Sequence, residues 1–482
     1  MKQVKQRGQF WIFTKRQKQL ATRAVSAATT LNKDGGGGVI AGGAGVGALA
    51  IFDVFWKNEL IKEEGIMKKV TDVVMVASLL VFGCIISQQT QFSGKAYAEE
   101  ISKTEIGTAR DIYDGALFPE KAVRTYSNTD KIFPTRIVKS GGKPSPLQFS
   151  DTQIKALSFT SAGKTYDLPD YVALNRNVGL LVLKDGKIAF EHYDYGITPK
   201  TRWMSMSVAK SFVSTLVGAA VKDGFIASIN DPVTKYLPQL KGSAYEQASV
   251  RDVLMMSSGV KWDETYVDPK SDRRKLLELQ IASNKEGAIF DIMKTLPKAT
   301  EPGKKFNYNT GETVLIGEIV QAATKMHLAD YLSKKIWIPL GMEDDGLWWL
   351  DSPNGHEVGG SGLLATLRDF ARFGQFILNG AQIDGKKIVP DWWLADATSA
   401  KPIEGVPNPN GYGYQFWTIK AAPGSIHDGA FMGRGIHGQY LYINPKYNVV
   451  ISGLGARSKP VGKNAIDDLD FFAAVVQKLN SK

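Results

Sequence analysis

Strand-like runs stand at both ends of the region that follows Asn177, and helices fill the space between them. Val178–Leu183 and Lys187–His192 flank Asp185-Gly186, a dipeptide that tolerates positive φ and so turns a hairpin. The next such runs come only near the end, at Tyr412–Ile419, Gln439–Ile443 and Asn448–Leu454, with Asn444-Pro445 turning between the last two. Residues 230–400 alternate short helical stretches with Pro/Gly loops, and a closing helix is predicted over Ala465–Leu479. This is not the regular alternation of a parallel βαβ sheet. It predicts an α/β fold of the α+β kind: an antiparallel sheet made from the two ends and flanked by helices, with a mostly helical middle inserted beside it.

The first hundred residues do not read as part of that body. The chain has 482 residues and a net charge of +11, of which +7 falls within residues 1–98. The remaining charge is mixed along the chain with no basic stripe among aromatics, so nucleic-acid binding is not expected. Residues 1–33 hold eight Lys/Arg and no acid, and residues 35–52 are rich in Gly, Ala and Val. Met67-Lys68-Lys69, an apolar run from Val73 to Ile86, and Ala96-Tyr97-Ala98 then follow the order of an export signal. The apolar run is shorter than the ~20 residues a membrane span needs. The organisation expected is a non-native or disordered extension over 1–66, a signal peptide or membrane anchor over 67–98, an extended arm wrapped on the main body over 99–170, and the main domain over 171–482. Export implies a periplasmic or extracellular location. Two alternatives stay open: membrane segments at 38–56 and 70–86, or a lipid on Cys84, whose preceding Val81-Phe82-Gly83 matches a lipobox only loosely. The single cysteine excludes an internal disulfide framework and a Cys-based zinc cluster.

The chemistry is found by elimination. The chain has no G-x-S-x-G elbow, no H-E-x-x-H helix and no P-loop. Its five histidines are scattered, and neither a metal nor a cofactor is expected. What remains is Ser-x-x-Lys, which places a hydroxyl and an amine on one helical face, one turn apart. A lysine partly desolvated or set beside other cations loses its proton near neutral pH and serves as a base. The motif occurs four times, at Ser140, Ser161, Ser207 and Ser258. Glycine interrupts three of them, leaving turns with no helical face. Only Ser207-Val208-Ala209-Lys210 opens a helix, predicted over Ser207–Lys222 with Val208, Phe212, Val213, Leu216 and Ala220 on one face and Asp223-Gly224 as its stop. Spacing alone leaves open the alternative of an N-capping serine beside a solvated lysine.

The surrounding residues resemble a known family. Trp203-Met204-Ser205-Met206-Ser207-Val208-Ala209-Lys210-Ser211 is similar to the nucleophile segment of the serine β-lactamase and penicillin-recognising superfamily. The resemblance is to the class C-like branch that includes D-alanyl-D-alanine carboxypeptidases, esterases and 6-aminohexanoate-dimer hydrolases. Further blocks follow in order: Asp252-Val253-Leu254-Met255-Met256-Ser257-Ser258-Gly259-Val260, Pro302-Gly303 with Phe306-Asn307-Tyr308 and Leu315-Ile316-Gly317, Pro339-Leu340-Gly341-Met342, and Gly360-Ser361-Gly362-Leu363 with Asp369-Phe370-Ala371-Arg372-Phe373-Gly374. The resemblance covers residues 110–480.

It implies a β-lactamase-like fold and a serine hydrolase domain. Ser207 would attack a carbonyl and form an acyl-enzyme, Lys210 and Tyr308 would share the general-base and general-acid work, and the N–H groups of Ser207 and Ile436 would form the oxyanion hole. Gln439, Thr310 and His437 would meet substrate, although a purely structural His437 is equally compatible. Two departures matter. The family's Tyr-x-Asn has Thr310 in its third place, which argues against ordinary β-lactam hydrolysis. The late Lys-Thr-Gly motif is absent; Gly433-Arg434-Gly435-Ile436-His437-Gly438-Gln439 stands in its region and looks like the Gly-x-x-Gly-Gln form of the nylon-oligomer hydrolases. The implied partner is a small amide or ester substrate, cleaved as by a 6-aminohexanoate-dimer hydrolase. The alternatives are an esterase, a D-alanyl-D-alanine carboxypeptidase or D-aminopeptidase acting on cell-wall peptides, or a non-catalytic cell-wall binding protein on the same scaffold.

Overall fold

The computed structural model describes residues 106–400, 402–404 and 411–481; the expectations for residues 1–98, Cys84 included, lie outside them. The main sheet has seven strands: β1 (Asn177–Lys184), β2 (Lys187–Tyr193), β3 (Gly411–Tyr412), β4 (Trp417–Thr418), β5 (Phe431–Gly435), β6 (Gln439–Asn444) and β7 (Val449–Gly455). Their order is β3-β4-β5-β6-β7-β1-β2, all antiparallel. The two ends of the domain meet in the β7–β1 pair, where Val449 faces Lys184 and Gly453 faces Leu180. The expected antiparallel sheet and helical insertion are both present.

Six helices bear on the site: α1 (Ala109–Asp114), α2 (Pro119–Tyr126), α3 (Ala209–Lys222), α4 (Thr310–Thr324), α5 (Leu367–Leu378) and α6 (Asp468–Asn480). Alternation along the strands assigns each side chain to one of two cores. Leu180, Val182, Tyr442 and Ile451 pack under Phe471, Phe472 and Val475 of α6. Leu181, Leu183, Leu441 and Val450 join Phe370 and Phe373 of α5 and Phe212 of α3 in the larger core. Because both faces are covered, β1 reads as a near-continuous apolar run.

Three local expectations are corrected. Helix α3 buries more than the one face that carries Val208, Phe212, Val213, Leu216 and Ala220; Ala209 to Ala220 are all buried, because the sheet and the inserted helices enclose it. It is preceded by a 3₁₀ turn, Met206–Val208, rather than starting at Ser207. The run Tyr412–Ile419 is not one strand. It splits into β3 and β4, because Gly413 and Gln415, the latter at φ +63, fold the chain back on itself. Strand β5 escapes the periodicity because two of its five residues are glycine, and the reason for those glycines lies in the site.

Residues 106–170 are more structured than an extended arm. They carry α1, α2 and a strand, Thr135–Val138, that pairs with Gly346–Trp349 in a second, four-stranded sheet. That sheet also contains Leu363–Ala365 and Trp203–Met204, so it delivers the chain directly to Ser207. Thr108 caps α1 in a reciprocal capping box with Asp111. The segment is tied down by the Arg274–Asp114 ion pair at 2.5 Å.

Candidate active site

Helix α3 and the turn before it set the first two groups. Met206, buried and at φ +44, bends the chain sharply before Ser207. A non-glycine residue held there is strained, and the surrounding packing must enforce it. One helical turn later Lys210 is buried, with its Nζ 3.1 Å from Ser207 Oγ. The solvated-lysine alternative is therefore excluded. Burial pushes the Lys210 amine down to about 7, opposed by the charge of Glu264 and assisted by that of Arg273.

The partners of Lys210 fix the direction of its lone pair. Nζ lies 2.6 Å from the carbonyl oxygen of Gly360, which can only accept. It also lies 3.1 Å from Thr310 Oγ1, whose own proton goes to Glu264 Oε1 at 2.5 Å, so that Thr310 accepts from the lysine. A neutral amine has two N–H groups and one lone pair. With both N–H groups directed at Gly360 and Thr310, the lone pair faces Ser207 and is placed to take its proton.

Tyr308 comes from the loop that leads into α4. Its ring lies 5.2 Å from Lys210 Nζ and stacks on Trp417, with centroids 5.5 Å apart. Burial pushes the phenol above its usual range, although the Ser207 hydroxyl pulls it back in part. It therefore stays protonated at neutral pH, whereas Lys210 is held where its amine can be neutral.

Ser207, Tyr308, Tyr266, Trp417 and Ile436 are among the residues that line a cleft of about 1100 Å³. Strand β5 forms one wall. A Cβ on Gly435 would sit 2.9 Å from Ser205 O and 3.0 Å from Ser207 N, and one on Gly433 would sit 3.1 Å from Ser211 Oγ. The strand can run along Ser207 only if these positions lack side chains, and Ile436, which follows, lines the same cleft as Ser207.

The remaining sequence-predicted residues are placed differently. Thr310 does not line the cleft; it is buried and holds the lysine. His437 does not reach the cleft either. It is fully buried, at φ +63, with its ring turned toward Tyr126 and the Arg457 carbonyl. Gln439 borders the cleft, but its side-chain amide is engaged by Trp203 Nε1 and by both backbone groups of Gly455. Sequence reasoning missed Glu264 and Tyr266. Their only signal is a polar loop after a matched block, and no pattern ties that loop to a site. Among the described residues no group of three His, Cys, Asp or Glu is placed to hold a metal ion.

This fold and this serine–lysine–tyrosine grouping define a β-lactamase-fold hydrolase. The chain matches the model of the Beta-lactamase family over residues 174–474 and belongs to that family. It is 30% identical over 291 residues to the 6-aminohexanoate-dimer hydrolase of Paenarthrobacter ureafaciens, covering 58% of this chain and 72% of that one. It is 26% identical over 228 residues to the D-aminopeptidase of Brucella anthropi, with 41% of each chain covered. Among solved structures, a Bacillus anthracis chain described as a candidate 6-aminohexanoate-dimer hydrolase superposes with a TM-score of 0.65 at 22% identity, covering 78% of this chain and 97% of that one.

Proposed function

We propose that the chain is a serine hydrolase that cleaves a small, linear amide or ester through an acyl-enzyme on Ser207, in the manner of a 6-aminohexanoate-dimer hydrolase. The observation that carries this reading is the lone pair of Lys210, left facing Ser207 once Gly360 and Thr310 have taken its two N–H groups. Ser207 Oγ attacks the carbonyl carbon as its proton passes to Lys210. The N–H groups of Ser207 and Ile436 receive the oxyanion, an arrangement of which each donor is worth about 2.7–4 kcal/mol. Tyr308 donates to the leaving nitrogen or oxygen as the bond breaks, and the Lys210 ammonium passes its proton to the resulting phenolate, so that both groups return to their starting forms. Water then repeats the sequence on the acyl-enzyme and releases the acid.

The 30% identity to a 6-aminohexanoate-dimer hydrolase favours a linear amide. The similarity to a D-aminopeptidase supports the second reading, a peptidase of cell-wall D-amino acids. The proposal includes export through residues 67–98, which sequencing the N-terminus of the secreted protein tests. For the chemistry, the purified protein is incubated with a fluorophosphonate probe and a panel of p-nitrophenyl esters and linear amides, with Ser207→Ala alongside. Labelling and turnover should be present in the wild type and lost in the variant. Labelling that survives the substitution removes Ser207 as nucleophile.

A further inference from the structure

Strand β5 ends in a turn, Ile436–Gly438, that presents Ile436 to the cleft and then enters β6. The middle residue, His437, holds φ +63, a conformation that disfavours side chains with a Cβ and persists only under restraint. The restraints are visible. His437 N–H donates to Pro460 O at 3.0 Å, and its carbonyl accepts from Arg457 N at 3.1 Å. Its Nδ1 is 2.8 Å from the Arg457 carbonyl, which only accepts, so Nδ1 carries the proton. The Tyr126 hydroxyl oxygen, 3.0 Å from the same nitrogen, takes a share of that N–H. Burial lowers the ring's pKa to about 4, so it is neutral under ordinary conditions.

Tyr126 is the last residue of α2, more than three hundred residues before the turn it meets. Its ring packs against His437 at 5.1 Å and edge-on against Trp203 at 5.8 Å. Trp203 in turn donates to Gln439, the first residue of β6. The segment also braces the loop that receives the His437 N–H: Lys459 Nζ donates to Gly115 O at 3.2 Å.

We propose that the segment from α1 to α2 is a working part of the active site, in which Tyr126 is a positioning residue that holds His437 in its left-handed conformation and so aims the Ile436 N–H at the oxyanion. The inference rests on acyl-enzyme chemistry at Ser207.

The test is a double-mutant cycle with Tyr126→Phe and His437→Gly on the full chain, read as kcat and KM for a p-nitrophenyl ester. Glycine adopts positive φ without help, so it removes the need for the clamp. Tyr126→Phe should lower kcat about tenfold, part of the 10²–10³ that loss of a whole oxyanion donor costs, with KM within about twofold of wild type. In the His437→Gly background the same change should leave kcat within about twofold. His437→Asn, also at home at positive φ, serves if the glycine variant does not fold. A merely structural tyrosine would lower thermal stability equally in both backgrounds without this split. An unchanged kcat in Tyr126→Phe, or an equal loss in both backgrounds, overturns the clamp while probe labelling of Ser207 stands. A wild type that neither labels nor turns over ester overturns both the clamp and the reading it rests on.

Discussion

Glu264 grips Thr310 at two points: its Oε1 accepts the Thr310 hydroxyl at 2.5 Å, and its Oε2 accepts the Thr310 N–H at 2.9 Å. One carboxylate thus sets the direction of the threonine hydroxyl and satisfies an N–H in the first turn of α4. Trp262 Nε1 donates to the same carboxylate at 2.6 Å and holds it in place. Thr310, which stands where the resembled family has asparagine, is thus held by Glu264 so that its hydroxyl oxygen accepts from Lys210.

That pair predicts a shift in pH dependence. Below its pKa of about 7 Lys210 is an ammonium with no lone pair for the Ser207 proton; above it the amine is free. kcat/KM should therefore rise with pH through about 7 and then level. The negative charge of Glu264 raises the Lys210 pKa, so Glu264→Gln should lower it and move the acid limb to lower pH. A pH–rate profile of the two proteins checks the direction, and a limb that moves upward contradicts it.

Tyr308 and Lys210 should separate when the leaving group is varied. A p-nitrophenolate departs without a proton, whereas an anilide nitrogen must receive one. Tyr308→Phe should lower kcat for an acyl p-nitroanilide by about 10²–10⁴ and for the matching p-nitrophenyl ester by much less. Equal losses on both substrates would assign the phenol to the attack step instead.

Gly435→Ala places a methyl group 2.9 Å from Ser205 O and 3.0 Å from Ser207 N. Both contacts are with backbone, so β5 must withdraw from the nucleophile. Fluorophosphonate labelling should slow by about 10² or more, the scale set by a misplaced oxyanion donor. Labelling at the wild-type rate would show that the strand edge tolerates the methyl.

Stability should be most sensitive around α3. Phe212 is fully buried and stacks on Phe373, with centroids 3.6 Å apart. Phe212→Ala should cost about 3–5 kcal/mol by denaturant titration. Gly218→Ala sets a Cβ 2.7 Å from the Trp393 ring and should cost about 1–3 kcal/mol through overpacking. A loss below about 0.5 kcal/mol for either would mean the helix has room that its burial denies.

The sequence by itself determined the sheet from the two ends of the domain, the helical insertion, and which of four Ser-x-x-Lys pairs lies on a helix. These are matters of local period and turn chemistry, which neighbours along the chain decide. The blocks of family resemblance added Tyr308 as a candidate, but no spacing rule could set it under Lys210. Only the tertiary structure decided that α3 is enclosed on every side, that Thr310 and Glu264 orient the amine, that β5 needs glycine beside Ser207, and that His437 is clamped by Tyr126 instead of facing substrate. Each of these depends on groups far apart in sequence meeting at hydrogen-bond or van der Waals distance. The chain's local periods carry no trace of such meetings, because they arise when packed layers close on one another.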